Sequence, residues 1–274
     1  YLADQVKDLD KLAIFEQKIT SISLIKRAAM AARDLLLHRW PEVKEVGIVC
    51  GSGNNGADGF LLGALLADRG IRVTIHSPAL SLKKNSESEI ASRLCFDRKI
   101  KMTSLEETLE KSELIVDALL GTGLSREIEG KHLEVVRKVN QSNKPVVAID
   151  IPSGLCSDTG RKRGACVRAN LTITFIGEKV GLYTGDGPAF VGEIIFKNLD
   201  VPVGIYSKVK HAARMLELGS EKLKVPTRKA NSHKGSHGHV LIVGGDEGMG
   251  GAAIMAAEAA LYSGAGLVSL LTHP

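Results

Sequence analysis

The sequence predicts an α/β fold in which a mostly parallel sheet is covered by helices on both faces. Three observations point there. Short β-branched or apolar runs alternate with helix-length segments, and 274 residues are enough for one full domain plus a smaller piece. The balance of 44% hydrophobic to 24% charged residues is that of an ordinary globular chain. In such sheets ligands lie at the carboxyl ends of the strands, so the residues just after each run carry the search for function.

Two helical patterns come first, over residues 2–17 and 21–39, the second with Ser21 as its N-cap and Trp40-Pro41 as its stop. The period then changes. Strand-like runs at Val46–Cys50, Ile71–His76, Leu114–Ala118, Val146–Ile151 and Leu171–Ile176 are separated by helical segments such as Gly59–Arg69, Ser86–Arg98 and His132–Asn140. Lys179–Tyr183 and Gly192–Leu199 read as sheet-edge strands that close a first domain, residues 1–205. Residues 206–229 read as a linker in a Pro/Gly/Lys/His-rich passage, with one short helical stretch near His211–Leu218. A new unit follows: strand His239–Val243, glycine-rich turn Gly244–Gly251, helix Ala252–Ser263 and strand Gly266–Leu270. One strand–helix–strand unit cannot bury its own faces, so residues 230–274 are either the truncated start of a second domain or an appendage docked elsewhere.

No apolar run approaches the roughly 18–20 residues of a membrane helix. The chain opens at Tyr1 on a charged, amphipathic stretch without the apolar core of a signal peptide. A cytoplasmic protein with no membrane partner is the expectation. Cys50, Cys95, Cys156 and Cys166 show no CxxC spacing and read as reduced structural thiols. The net charge of +5 is local, because residues 201–240 hold eight Lys/Arg against Glu217 and Glu221 and the rest of the chain is near neutral. With few aromatics and no nucleic-acid motif nearby, a solvated or phosphate-facing edge explains that excess better than nucleic-acid binding.

Gly51-Ser52-Gly53-Asn54-Asn55-Gly56 matches GxGxxG directly after a strand, which sets backbone N–H groups and a helix N-terminus where a phosphate can sit. A dehydrogenase loop would also carry an acidic residue about twenty positions on to grip the ribose. His76-Ser77-Pro78 stands there instead. Asn54, Asn55 and Asp58 are polar groups that a pure glycine cradle does not need, and helix capping accounts for one of them but poorly for all three. At the next strand end, Asp117 is costly to bury without strong donors or a cation, and Gly121-Thr122-Gly123 forms a second close-approach turn. Arg126 suits either a phosphate or an ion pair with Glu127 or Glu129. A third strand end carries Asp150 and, past Pro152, the hydroxyl of Ser153. Asn55, Asp117 and Ser153 are thus hard oxygen donors on three strand ends, a set that suits an alkali or alkaline-earth cation and not zinc.

Taken in order, GSGNNGADG, VDALLGTGLSREIEG, VVAIDIPSGL and TITFIGEKVGLYTG resemble the NAD(P)H-hydrate epimerase family, the YjeF N-terminal domain, over about residues 1–205. The resemblance implies a three-layer αβα Rossmann-like sandwich that interconverts the R and S epimers of hydrated NADH or NADPH around a bound potassium ion. By the same resemblance, Asn54, Asn55, Gly56, Ala57 and Asp58 bind the damaged nucleotide together with Gly121, Thr122, Gly123, Leu124, Ser125, Arg126 and Glu127. Asn55, Asp117 and Ser153 hold potassium. Asp150 contacts the substrate and is the catalytic acid/base, since one carboxylate that alternately gives and takes a proton serves inversion at C6 in both directions. Two departures stand out: Ala57 replaces a common Gly, and Ile25-Lys26-Arg27-Ala28-Ala29 replaces Met-Glu-x-Ala-Gly, where Lys26 reverses a charge and leaves a homo-oligomer open.

Residues 230–274, with the run from Asn231 to Gly245, resemble the opening of the partner NAD(P)H-hydrate dehydratase, a ribokinase-like domain that uses ADP or ATP, as in a bifunctional NAD(P)H-hydrate repair enzyme. On that match Ala252 touches the substrate, while the nucleotide loop and catalytic Asp of such a domain lie beyond these residues. The alternative is a non-catalytic nucleotide-binding or protein-interaction module on the same fold, because fold alone does not fix function. Asn55, Asp117, Asp150 and Ser153 occurring together argue against it.

Overall fold

A computed structural model of the protein describes residues 1–78, 82–216 and 227–273. The chain divides into two compact units, Tyr1–Arg214 and Met215–Pro274. Residues up to Arg214, the first part of the expected linker, therefore belong to the first unit. Lys208 pairs there with Glu16, and the Lys210 carbonyl accepts from Gln5. No helix forms over residues 211–216, and the remainder of the helical stretch expected near 211–218 lies outside the described residues.

In the first unit α1 (Ala3–Gln17) and α2 (Ser21–Arg39) precede β1 (Glu45–Cys50). Thr20, not Ser21, caps α2, its Oγ1 accepting from the Ser23 N–H. Then follow α3 (Asn54–Ala67), β2 (Arg72–His76), α4 (Glu87–Asp97), β3 (Lys101–Met102), α5 (Leu105–Lys111), β4 (Leu114–Ala118), α6 (Gly130–Gln141), β5 (Val146–Ile149), β6 (Leu171–Phe175) and β7 (Glu193–Lys197). The expected strand at Lys179–Tyr183 is instead a short 3-10 turn, Val180–Leu182. A Cβ on Gly181 would fall 2.1 Å from the Cys156 carbonyl oxygen, so the chain is held against a neighbouring loop where no sheet partner runs. The expected strand at 192–199 does form, as β7.

Seven strands make one sheet in the order β3-β2-β1-β4-β5-β6-β7, with every pairing parallel. Alternate residues feed opposite layers, as period two demands. Val46, Ile48, Leu114, Val116, Val147 and Ile149 join the core under α1 to α4, whereas Val49, Ile115 and Val146 join the core under α5 and α6. This is the three-layer Rossmann-like sandwich. Successive strands run outward from β1 to β3, then resume on the other side of β1 with β4. The reversal places a crevice beyond the carboxyl ends of β1 and β4, where ligands bind in sheets of this kind.

The second unit holds β8 (His239–Val243), α7 (Gly250–Tyr262) and β9 (Leu267–Leu271), with β8 and β9 parallel. Leu241, Val243, Ile254, Met255 and Leu271 are exposed, and Ala253 is buried. Such exposure is what a lone strand–helix–strand unit must show.

Candidate active site

At the switch point the glycines work by close approach. A Cβ on Gly51 would lie 1.9 Å from the Leu119 carbonyl oxygen, and one on Gly56 would lie 1.9 Å from the Gly51 carbonyl oxygen. Only glycine lets the β1 loop touch the β4 loop and turn at once into α3. The N-cap of α3, Gly53, offers no side chain, so the first N–H groups of that helix stay available to an anion. Ser88 at the start of α4 donates to the Ser52 and Gly53 carbonyls and pins the loop from outside.

Asn55 lies buried in the first turn of α3, with Nδ2 donating to the Leu120 carbonyl at 3.1 Å. Its Oδ1 is buried and has no hydrogen-bond partner among the described residues. The Leu120 N–H donates to Ser153 Oγ at 2.8 Å, and the Ser153 hydroxyl donates to Asp117 Oδ1 at 2.6 Å. The Ser153 N–H and Leu119 N–H complete the shell of Asp117 at 2.7 and 3.2 Å. Burial pushes the Asp117 carboxyl up to about 6, against the pull of these donors. The three residues expected to hold a cation are thereby joined in one chain of contacts, and the orphaned Asn55 oxygen is what a missing ligand atom would leave. Among the described residues no group of three His, Cys, Asp or Glu could hold a metal, and the donors gathered here are one carboxylate, one hydroxyl and one amide oxygen.

Asp150 closes β5 two residues earlier than the sequence suggests. Its backbone is left-handed, φ +67°, which ends the strand at Ile149. Oδ1 accepts from the Phe175 N–H at 3.2 Å and from the ammonium of Lys179. Lys179 is wholly buried, and its remaining donors go to Thr174 Oγ1 (3.0 Å) and the Phe175 carbonyl (3.1 Å). Ile176, in the loop that carries Lys179, is a buried β-branched residue at φ +61°, a conformation that costs about 1–3 kcal/mol and persists where its surroundings fix it. Helix α1 lies over this loop: a Cβ on Gly177 would meet Leu9 and Val6, and the Val180 N–H donates to the Tyr1 carbonyl.

Two further carboxyls belong to the same neighbourhood. Asp58 in α3 has Oδ1 buried without a partner. Burial first, then the charges of Asp150 and Asp10, raise its carboxyl well above the usual range, while Lys179 opposes them. Asp10 on α1 is pushed up to about 6 by burial and by Asp150, again opposed by Lys179. Sequence reasoning missed both Lys179 and Asp10. Lys179 had a signal, a lysine set in the apolar run Phe175-Ile-Gly-Glu-Lys-Val-Gly-Leu182.

The other expected residues fall as follows. Asn54 is exposed at the start of α3, and Gly121 to Glu127 form an open loop beside it, with Gly121 against Asn55. Arg126, Glu127 and Glu129 are exposed, and among the described residues Arg126 pairs with neither glutamate. Leu124 packs partly into the α5/α6 core. Ala57 is fully buried in the core and its N–H donates to the Gly53 carbonyl, so neither its side chain nor its N–H faces the crevice. Ala252 is exposed near the start of α7 in the second unit.

With this geometry in hand, comparison with known proteins places the chain. The YjeF-related protein N-terminus matches residues 21–181. The chain belongs to this family. It is 42% identical over 275 residues to the bifunctional NAD(P)H-hydrate repair enzyme Nnr of Coxiella burnetii, covering all of this chain and 56% of that protein. It is 37% identical over 193 residues to the NAD(P)H-hydrate epimerase of Limosilactobacillus fermentum, covering 70% of this chain and 93% of that one. The crystal structure of yeast ynu0, YNL200c, superposes with a TM-score of 0.61 at 18% identity over 71% of this chain and 86% of that chain, which shows a shared fold. The chain spans about half the length of the bifunctional relatives it matches. YjeF-type membership covers the crevice, Asp150 and Lys179, whereas α1 with Asp10 precedes the matched region.

Proposed function

We propose that the first unit is an NAD(P)H-hydrate epimerase that interconverts the R and S forms of hydrated NADH and NADPH. The observation that carries this reading is the Asp150–Lys179 ion pair, in which a wholly buried ammonium meets a part-buried carboxylate at a strand end beside the crevice. Taking the ammonium out of water costs several kcal/mol, which a scaffold with no chemistry has little reason to bear. Oδ1 of Asp150 is filled by donors, and among the described residues no donor engages Oδ2, which is left to take a proton from the substrate and return it.

The N–H groups of Asn54, Asn55 and Gly56 at the start of α3, the Gly121–Glu127 loop and Arg126 bind the nucleotide, the open N–H groups and guanidinium meeting its phosphates. Asn55, Asp117 and Ser153 would hold a potassium ion, which would supply fixed positive charge in the crevice. Four free, buried thiols support a reducing, cytoplasmic compartment. The second unit, with Ala252 at the start of its helix, belongs on this reading to an ADP- or ATP-dependent dehydratase of a longer bifunctional parent.

The test mixes the protein with the R and S hydrates of NADPH and a separate dehydratase specific for one epimer. Complete conversion to NADPH, against partial conversion without the protein, is the expected result. An unchanged plateau and rate would sink the reading.

A further inference from the structure

Two carboxyls near the crevice stand in opposite surroundings. Asp150 is tied to an ammonium and a backbone N–H. Asp58 has neither: among the described residues no donor reaches its Oδ1, which is cut off from water, although the residue as a whole is only partly buried. Burial of that oxygen penalises the charged form and raises the carboxyl well above the usual range. The charged groups acting on it come from three elements. Asp150 after β5 and Asp10 on α1 favour the neutral acid, and Lys179 after β6 opposes them but is already committed to Asp150. Neighbouring carboxyls held in unlike surroundings can divide the roles of acid and base.

We propose that Asp58 is the catalytic acid of the epimerisation and Asp150 its base. This assignment rests on the epimerase reading and divides between two groups what a single carboxylate would otherwise do in turn. Asp150 takes the proton of the C6 hydroxyl as the C6–N1 bond breaks. The electron pair of that bond goes to N1, which takes the proton of Asp58, and C6 becomes an aldehyde carbon. Rotation then presents the other face of the aldehyde. N1 adds back to C6, its proton returns to Asp58, and the proton held by Asp150 goes to the oxygen. Nothing is consumed, and both carboxyls end as they began.

The experiment follows the approach to equilibrium of the pure R hydrate of NADPH with the wild-type protein and with Asp58→Asn, alongside calorimetric binding of the hydrate. The substitution should lower kcat about 10²–10⁴-fold with little change in Kd, and should abolish the loss of rate at high pH. Wild-type kcat in Asp58→Asn would overturn the assignment. If that variant does not fold, carboxyl-labelled aspartate in the wild type decides. An Asp58 signal that stays protonated through neutral pH supports the proposal, and titration in the ordinary carboxylate range overturns it. A wild-type protein that equilibrates the epimers no faster than buffer defeats the epimerase reading itself, whereas an active wild type with an unimpaired Asp58→Asn defeats only the acid.

Discussion

The polar groups at the strand ends fall into two sets that differ in kind. On the β1/β4 side, Asn55, Leu120, Ser153 and Asp117 form a chain of hydrogen bonds with a single carboxyl and one oxygen left without a partner. In the other set Asp150 after β5 is paired with the Lys179 ammonium after β6, and the carboxyls of Asp58 on α3 and Asp10 on α1 feel the charges of both. The first set is short of positive charge and has an oxygen to offer, as a cation site should. The second has more carboxyls than its lysine can balance, and burial raises the carboxyls of Asp58 and Asp10 above the usual range. On the proposed reading the first side holds an ion and the second moves hydrogen.

The sharpest way to break this contrast is at Asp150. Asp150→Asn keeps the shape and removes the base, so kcat should fall toward the upper end of roughly 10²–10⁴-fold while nucleotide binding persists. Retained activity in a steady-state epimerisation assay would take Asp150 out of the mechanism. Lys179→Met comes next. It leaves a part-buried carboxylate without its cation, and unfolding free energy should drop by about 1–3 kcal/mol, or roughly 2–12 °C in Tm for a domain of this size. Adding Asp150→Asn to Lys179→Met should restore part of that loss, because the stranded charge is gone. A double variant no more stable than Lys179→Met in urea titrations would show that the pair is not the source of the effect.

The two sides also differ in how far the sequence discloses them. Asn55, Asp117 and Ser153 each follow an apolar run by a few residues, so the parallel sheet brings them together by a general rule about strand ends. The second set obeys no such rule. Lys179 reaches Asp150 because Ile176 turns left-handed, and nothing local marks an isoleucine for that conformation. Asp10 sits on a helix that reads simply as amphipathic, and its place over the 175–180 loop is set by packing of Leu9 and Val6 on Gly177. Periodicity located the long helices well. It passed over α5, whose seven residues are too few for a repeating pattern, although Ser104 and Glu107 spell out its start, with Ser104 Oγ accepting from the Glu107 N–H. The strand expected at Lys179–Tyr183 failed for the same reason that hid the lysine, since a run that sends its charged residue inward to a carboxylate does not continue as sheet.

Asp10 gives a test that leaves the chemistry aside. Its carboxyl lies near 6 in the folded protein against an ordinary 3.8, so the folded state binds this proton more tightly than the unfolded chain does. The stabilisation is whole below about pH 4 and is lost as the pH rises through about 6, a difference of about 3 kcal/mol. Asp10→Asn cannot ionise. Its stability relative to wild type should therefore climb by up to about 3 kcal/mol between about pH 4 and pH 8 in urea titrations. A pH-independent difference would mean that burial, with Asp150 nearby, does not raise this carboxyl.

Potassium should act on the other side alone. If Asn55 Oδ1, Asp117 and Ser153 receive the ion, KCl at about a hundredfold excess over Kd should raise the unfolding free energy by about 2.7 kcal/mol, and N-methylglucamine chloride at the same ionic strength should not. Ser153→Ala removes one ligand oxygen and the hydroxyl that steadies Asp117, so the potassium effect should shrink sharply while the pH response traced to Asp10 stays as it was. The reverse outcome, a potassium effect untouched in Ser153→Ala but lost in Lys179→Met, would place the ion among the carboxyls of the second set. There a cation would compete with the ammonium for Asp150, and the division between an ion-holding side and a proton-moving side would have to be given up.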